Sequence, residues 1–127
     1  MDKVLLAVNG SLMRGMDAHG VMLDAGARFV REDSTAPAYR LWSIEDRFPA
    51  MLRVGEGGVS IAVEIYELSA DGFVSVLQRE PVGLSVAHVR LLAGDTLLGV
   101  VGEPILCERG KEITGYGGWR AYRESLD

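Results

Sequence analysis

The chain has 127 residues, 48% of them hydrophobic, with a net charge of −5 and a pI near 5.0. That length fits a single domain over residues 1–127, large enough to bury about two-thirds of its unfolded surface without a disulfide or metal staple. The acidic balance and the scatter of Arg14, Arg28, Arg31, Arg40, Arg47 and Arg53 leave no basic stripe for a phosphate backbone, so nucleic acid is not expected as a partner.

In chain order, Val4–Val8 is a short apolar run closed by Asn9-Gly10 and predicts a buried first strand rather than a leader peptide. Met16, His19, Gly20 and Leu23 fall at helical spacing and predict a short helix or helical turn. Ala27–Arg31, Tyr39–Ile44 and Ala50–Val54 read as strands, and Gly55-Glu56-Gly57-Gly58 as a turn. Val59–Leu68 is the longest strand candidate. Val59, Ile61, Val63 and Ile65 share one face, and Ser60, Ala62, Glu64 and Tyr66 share the other. Ser69 is placed to cap a helix that carries Phe73, Val76 and Leu77 and stops at Pro81. Leu84–Leu92 and Thr96–Val101 flank Ala93-Gly94-Asp95 as a hairpin, and the tail ends in Tyr116-Gly117-Gly118-Trp119 and a short amphipathic segment.

Strands dominate and helices are short. The expected architecture is α+β: a small closed or nearly closed mixed β-barrel with a few short helices outside, since closure removes exposed edges. No stretch approaches the roughly 20 apolar residues that span a bilayer, so a membrane is not expected as a partner. Cys107 stands alone and can form no internal disulfide, which suits a reducing, cytoplasmic setting. It reads as a small buried hydrophobe rather than a nucleophile, because His19 and His88 lie far from it in sequence. The sequence holds no metal-ligand spacing and no phosphate-binding glycine motif, so neither a metal nor another cofactor is expected.

Three features could carry chemistry. Asn9-Gly10-Ser11-Leu12, directly after the first strand, can present consecutive N–H groups to a carboxylate or a developing oxyanion, or be a plain strand-ending turn. Glu80, just past a helix C-terminus and beside Pro81 and Val82, is either a carboxyl raised toward neutrality and fit for general-base work or an exposed helix-end residue. Tyr116–Tyr122 is either a clasp over the barrel end or a ligand wall.

These segments also carry a resemblance. Val8–Gly15, VNGSLMRG, resembles the opening motif of the gamma-glutamylcyclotransferase superfamily, and GVSIAVEIYEL at Gly58–Leu68 resembles the strand before its catalytic Glu. Glu80, fourteen residues beyond Tyr66, falls where that Glu would be. More narrowly, TAPAYRLW at Thr35–Trp42, VEIYEL, LLGVVGEP at Leu97–Pro104 and EITGYGGWRAY at Glu112–Tyr122 resemble the C-terminal domain of allophanate hydrolases. The resemblance implies a free-standing relative with Glu80 as catalytic base and Asn9, Gly10, Ser11, Leu12, Tyr39 and Trp119 as substrate-binding residues. It implies a small carboxylated or amide metabolite as ligand and an amidase as a partner, either for chemistry or for assembly into an oligomer. Two positions depart from the pattern: Asn9 stands where the cyclotransferases carry Tyr, and Leu12 where the allophanate hydrolase domain carries a His.

Overall fold

The structure is a computed structural model that describes residues 3–127. Strands β1 (Lys3–Val8), β2 (Arg28–Ser34), β5 (Ala62–Ser69), β6 (Leu84–Arg90) and β7 (Thr96–Gly102) form one five-stranded sheet in the order β2-β5-β1-β7-β6. A second sheet has the order β4-β3-β8, from β3 (Tyr39–Ile44), β4 (Phe48–Arg53) and β8 (Lys111–Glu112). Four short helices complete the fold: α1 (His19–Asp24), α2 (Ala70–Gln78), α3 (Pro104–Glu108) and α4 (Trp119–Ser125).

The α+β class holds. The elements divide into two sheets, and the closed or nearly closed barrel expected from the sequence is not found as a closed sheet among the described residues. The two edges of the larger sheet meet at one end only, where Thr35 bridges Leu91 and the N–H groups of Leu92 and Ala36 donate to the carbonyls of Ser34 and Arg90. The bulge between Phe29 and Arg31 in the β2–β5 pairing bends the edge strand, as an extra residue in one strand does.

β1 is the sheet's hinge-point in topology: antiparallel to β5 from Lys3↔Ser69 to Val8↔Glu64, and parallel to β7 through Leu6↔Leu98 and Ala7↔Gly99. Its neighbours on both sides explain why Leu6, Ala7 and Val8 are all buried. The main core packs Leu6, Val8, Tyr66 and Leu68 of this sheet against Tyr39, Leu41 and Met51 of the small sheet, Met22 of α1, Val76 of α2 and Trp119 and Tyr122 of α4. A second cluster gathers Ala7, Val63, Ile65 and Leu91. Ser69 caps α2 as its sequence suggests, its Oγ accepting from the Gly72 N–H at 3.0 Å. Among the described residues no helix is long and apolar enough to cross a membrane.

Candidate functional site

After β1 the chain leaves the sheet as the loop 9–18, and every polar group that fixes this loop can be named. The Asn9 side-chain amide donates to the Val100 carbonyl at 2.8 Å, tying the strand end to β7. Leu12 and Met13 are buried in the core. The Met13 N–H donates to the Gly10 carbonyl, the Ala18 N–H to the Ser11 carbonyl, each at 3.0 Å, and His19 Nδ1 donates to the Leu12 carbonyl at 2.9 Å. Gly10 is sterically required: a Cβ there would overlap the ring of Pro49 in β4. With the loop's carbonyls engaged, the N–H groups of Gly10, Ser11 and Leu12 donate to nothing among the described residues. Consecutive free N–H groups of this kind suit an anion.

Within the loop, Arg14 is held by a buried carboxylate that sequence reasoning assigned no role. Glu64 of β5 is only 1% exposed. Its Oε1 accepts from the Arg14 N–H at 3.0 Å and the Tyr66 hydroxyl at 2.8 Å; its Oε2 accepts from Arg14 Nε and Arg120 Nη2, each at 3.3 Å. Burial alone would push this carboxyl up, but the N–H of Arg14, the Tyr66 hydroxyl and the Arg14 guanidinium together hold it below its ordinary value. Burial and then the Glu64 charge push the Tyr66 hydroxyl well up, so it stays a donor. A charged residue between Val63 and Ile65 in β5 was the available signal; its arginine partners, fifty or more positions away in either direction, were not.

Glu80 reaches the same loop from α2. Its N–H closes the helix end on the Leu77 carbonyl at 3.2 Å, and Pro81 stops the helix. Glu80 lines a narrow cleft walled by Val8, Phe48, Pro49, Leu84 and Val100 together with Asn9–Leu12. No hydrogen bond among the described residues reaches the carboxylate of Glu80. Burial pushes it up to about 7.

The cleft itself is small, about 10 Å³, roughly what one water needs. It shares Ser11, Phe48 and Glu80 with an outer hollow of about 300 Å³, to which Asp17 and Ala18 contribute from the loop and Asp46 and Arg47 from the β3–β4 turn. That turn is also missed by sequence reasoning. Glu45 and Asp46 both adopt left-handed backbone, with φ of 56° and 58°. The Asp46 carboxylate accepts from the Tyr122 hydroxyl at 2.6 Å and the Ser43 hydroxyl at 2.7 Å, and these two bonds lead the causes that hold it below its ordinary value.

The structure thus brings Asn9, Gly10, Ser11, Leu12 and Glu80 together. It puts Tyr39 and Trp119 elsewhere: both are core residues, 1% and 2% exposed, and neither lines the cleft or the hollow. Large aromatic rings bury more apolar area in the core than so small a cleft could take up. The Tyr39 hydroxyl accepts the Arg90 N–H at 3.0 Å, and Trp119 packs on Tyr122. Cys107 is buried, and its thiol is pushed up to about 11, which keeps it protonated and a poor nucleophile. A larger hollow of about 570 Å³, beside Glu64, Glu32, Asp33 and Arg120, contains none of the expected site residues. Among the described residues no three His, Cys, Asp or Glu side chains converge as metal ligands would.

The profile of the allophanate hydrolase C-terminal domain matches residues 4–124. Urea amidolyase of Saccharomyces cerevisiae is 27% identical over 97% of this chain, which spans only 7% of that protein's length. Among solved structures, a uropathogenic E. coli-specific protein is 48% identical, with a TM-score of 0.95 and 98% of both chains covered. Kluyveromyces lactis allophanate hydrolase is 25% identical with a TM-score of 0.93, over all of this chain and 22% of that one. An AIG2-like protein from Mus musculus, 23% identical with a TM-score of 0.64 over 84% of this chain and 80% of that one, shares the fold.

Proposed function

Because the chain belongs to the allophanate hydrolase C-terminal domain family, we propose that it acts on a small carboxylated amide or N-carboxylated urea-type compound, with Glu80 as general base. The observation that supports this reading is the shared cleft, which Glu80 lines together with Gly10–Leu12, the residues whose N–H groups are unclaimed among the described residues. A carboxyl near neutrality is substantially ionised at pH 7, yet basic enough to accept a proton and return it. The cleft admits little more than a water's volume, so the body of the substrate occupies the outer hollow and only its reacting carbonyl reaches inward. With a gamma-glutamyl amide, Glu80 takes the proton from the substrate's own α-amine as that nitrogen attacks the γ-carbonyl and the N–C bond forms. The carbonyl oxygen becomes an oxyanion held by the N–H groups of Gly10–Leu12. Collapse breaks the bond to the leaving amine, which takes the proton back from Glu80. Leu12 has no ionisable group and can move no proton, so this reading gives that role to Glu80.

The test is Glu80→Gln, which keeps shape and polarity but cannot accept the proton. A screen of gamma-glutamyl amides and N-carboxylated ureas comes first. On the substrate found, kcat should fall by at least about 10²-fold, the low end of general-base contributions. Binding should change far less, because Gln keeps the shape and polarity of the side chain. Full activity in the Gln variant would remove Glu80 from the mechanism.

A second reading draws on the relatives' size. The chain corresponds to about a fifth of an allophanate hydrolase and a smaller share of a urea amidolyase, which supports docking on an amidase as its role. Inactivity across the substrate screen, joined to a stable complex with a purified amidase in sedimentation, would favour that reading.

A further inference from the structure

The outer hollow has a feature that the general-base chemistry does not use. Four charged residues line it: Asp17, Asp46, Glu80 and Arg47. An anionic substrate would meet three carboxyl groups and a single cation. Of those carboxylates, Asp46 is already committed, accepting from the Tyr122 and Ser43 hydroxyls. Arg47 is not. Its nearest carboxylate partner among the described residues is Glu45 at 3.9 Å, and both side chains are about three-quarters exposed, a contact worth little in water.

The backbone around Arg47 adds an independent observation. Glu45 and Asp46 are the two non-glycine residues with left-handed backbone among those described. Such a conformation costs free energy for L-residues, and more for Glu than for Asp, whose short side chain is better tolerated there. It persists because the turn is fastened on several sides: Asp46 to Tyr122 and Ser43, and the Asp46 carbonyl to Arg123 Nη1 at 2.8 Å. Directly after this fixed corner, Arg47 leads into Phe48 and Pro49, which wall the cleft. The fastened turn therefore places Arg47 at the rim of the outer hollow.

We infer that Arg47 is the specificity residue of this site, pairing with a carboxylate at the end of the substrate remote from the carbonyl that reaches Glu80. This rests on the reading of the cleft given above and narrows it: the substrate carries two functions, an amide or urea carbonyl for the inner cleft and an anion for the rim. A planar guanidinium matches a carboxylate by paired N–H donors, which an ammonium cannot copy. Neutral diamides of the same length would lack the rim contact.

Malonamate, which joins one amide to one carboxylate, is the probe, and malonamide is its neutral counterpart. Titrations followed by amide NMR shifts should show wild-type protein binding malonamate at least about tenfold more tightly than malonamide. Arg47→Gln should erase that preference by weakening malonamate about tenfold while leaving malonamide unchanged, and Arg47→Lys should restore part of it. Glu80→Gln should keep the preference. Malonamate binding that Arg47→Gln leaves untouched overturns the assignment of Arg47 alone. If wild-type protein binds neither probe, with Gly10–Leu12 amides unmoved, the reading of the cleft fails and Arg47 falls with it.

Discussion

Burial of the Glu80 carboxyl has a consequence for stability that is independent of any substrate. The group's ordinary value is 4.5 and its value in the folded chain is about 7. Between those two pH values the folded state keeps the proton and the unfolded chain has lost it, so stability falls as pH rises through this window. Below pH 4.5 both states are protonated and the penalty is absent. Glu80→Gln removes the titration. The variant should match the wild type near pH 4, pull ahead of it from about pH 5 upward, and hold a constant lead above about pH 8. Urea unfolding across that range reads the difference directly. A wild-type chain as stable as the variant at pH 8 would mean that the carboxylate finds water when ionised and is not buried as described. Together with the activity test, this separates two properties of one residue: Gln should be better for folding and worse for turnover.

At the scale of elements, the β3–β4 turn should be improvable. A left-handed conformation costs about 1 kcal/mol or more for a residue such as Glu and distinctly less for Asn. Glu45 gains only the weak contact with Arg47 in return. Glu45→Asn should therefore raise stability by about 0.5–1 kcal/mol, or about 2–5 °C in Tm. A lower Tm would show that the Glu45 side chain is needed where it stands. This turn also shows what the sequence could not convey. Elements set by local pattern were legible: β1 from its apolar run, β5 from alternation, α2 from Ser69 and Pro81. The Gly10–Leu12 turn and Glu80 were identified as partners through resemblance. Features set by remote partners were not legible. Nothing near Ser43-Ile44-Glu45-Asp46 indicates that Tyr122 will supply the hydroxyl that stabilises its turn. Glu64 looked like one residue of an alternating face until Arg14 and Arg120 met it. The helix Pro104–Glu108 was overlooked although Pro104 stands at its first position, where a proline is favoured. Tyr39 and Trp119 were assigned to ligand because a large aromatic ring suits a core and a binding wall equally well, and only packing decides between them.

For the whole molecule, α4 is the element on which the site's two walls both depend. Arg120 reaches Glu64 and the Arg14 carbonyl, and so steadies the loop that presents the Gly10–Leu12 N–H groups. Tyr122 and Arg123 fasten the turn that carries Arg47. Just before the helix, the Gly117 carbonyl accepts the Ala62 N–H at 2.9 Å, where β5 begins. Trp119 and Tyr122 sit in the main core at 2% and 1% exposure. Removing one buried aromatic of this size to Ala costs about 3–5 kcal/mol, and a domain of this length has only about 5–15 kcal/mol to lose. Trp119→Ala should accordingly lower Tm by about 10–20 °C while leaving a folded chain. Ending the chain before Gly115 removes both aromatics and the Arg120 contact with buried Glu64, a loss comparable to the whole stability. That shortened chain should show no cooperative thermal transition by calorimetry and should bind 1-anilinonaphthalene-8-sulfonate as a loosely packed state does. A shortened chain that melts cooperatively within a few degrees of the intact one would mean that residues 115–127 lie on the molecule without helping to hold it together.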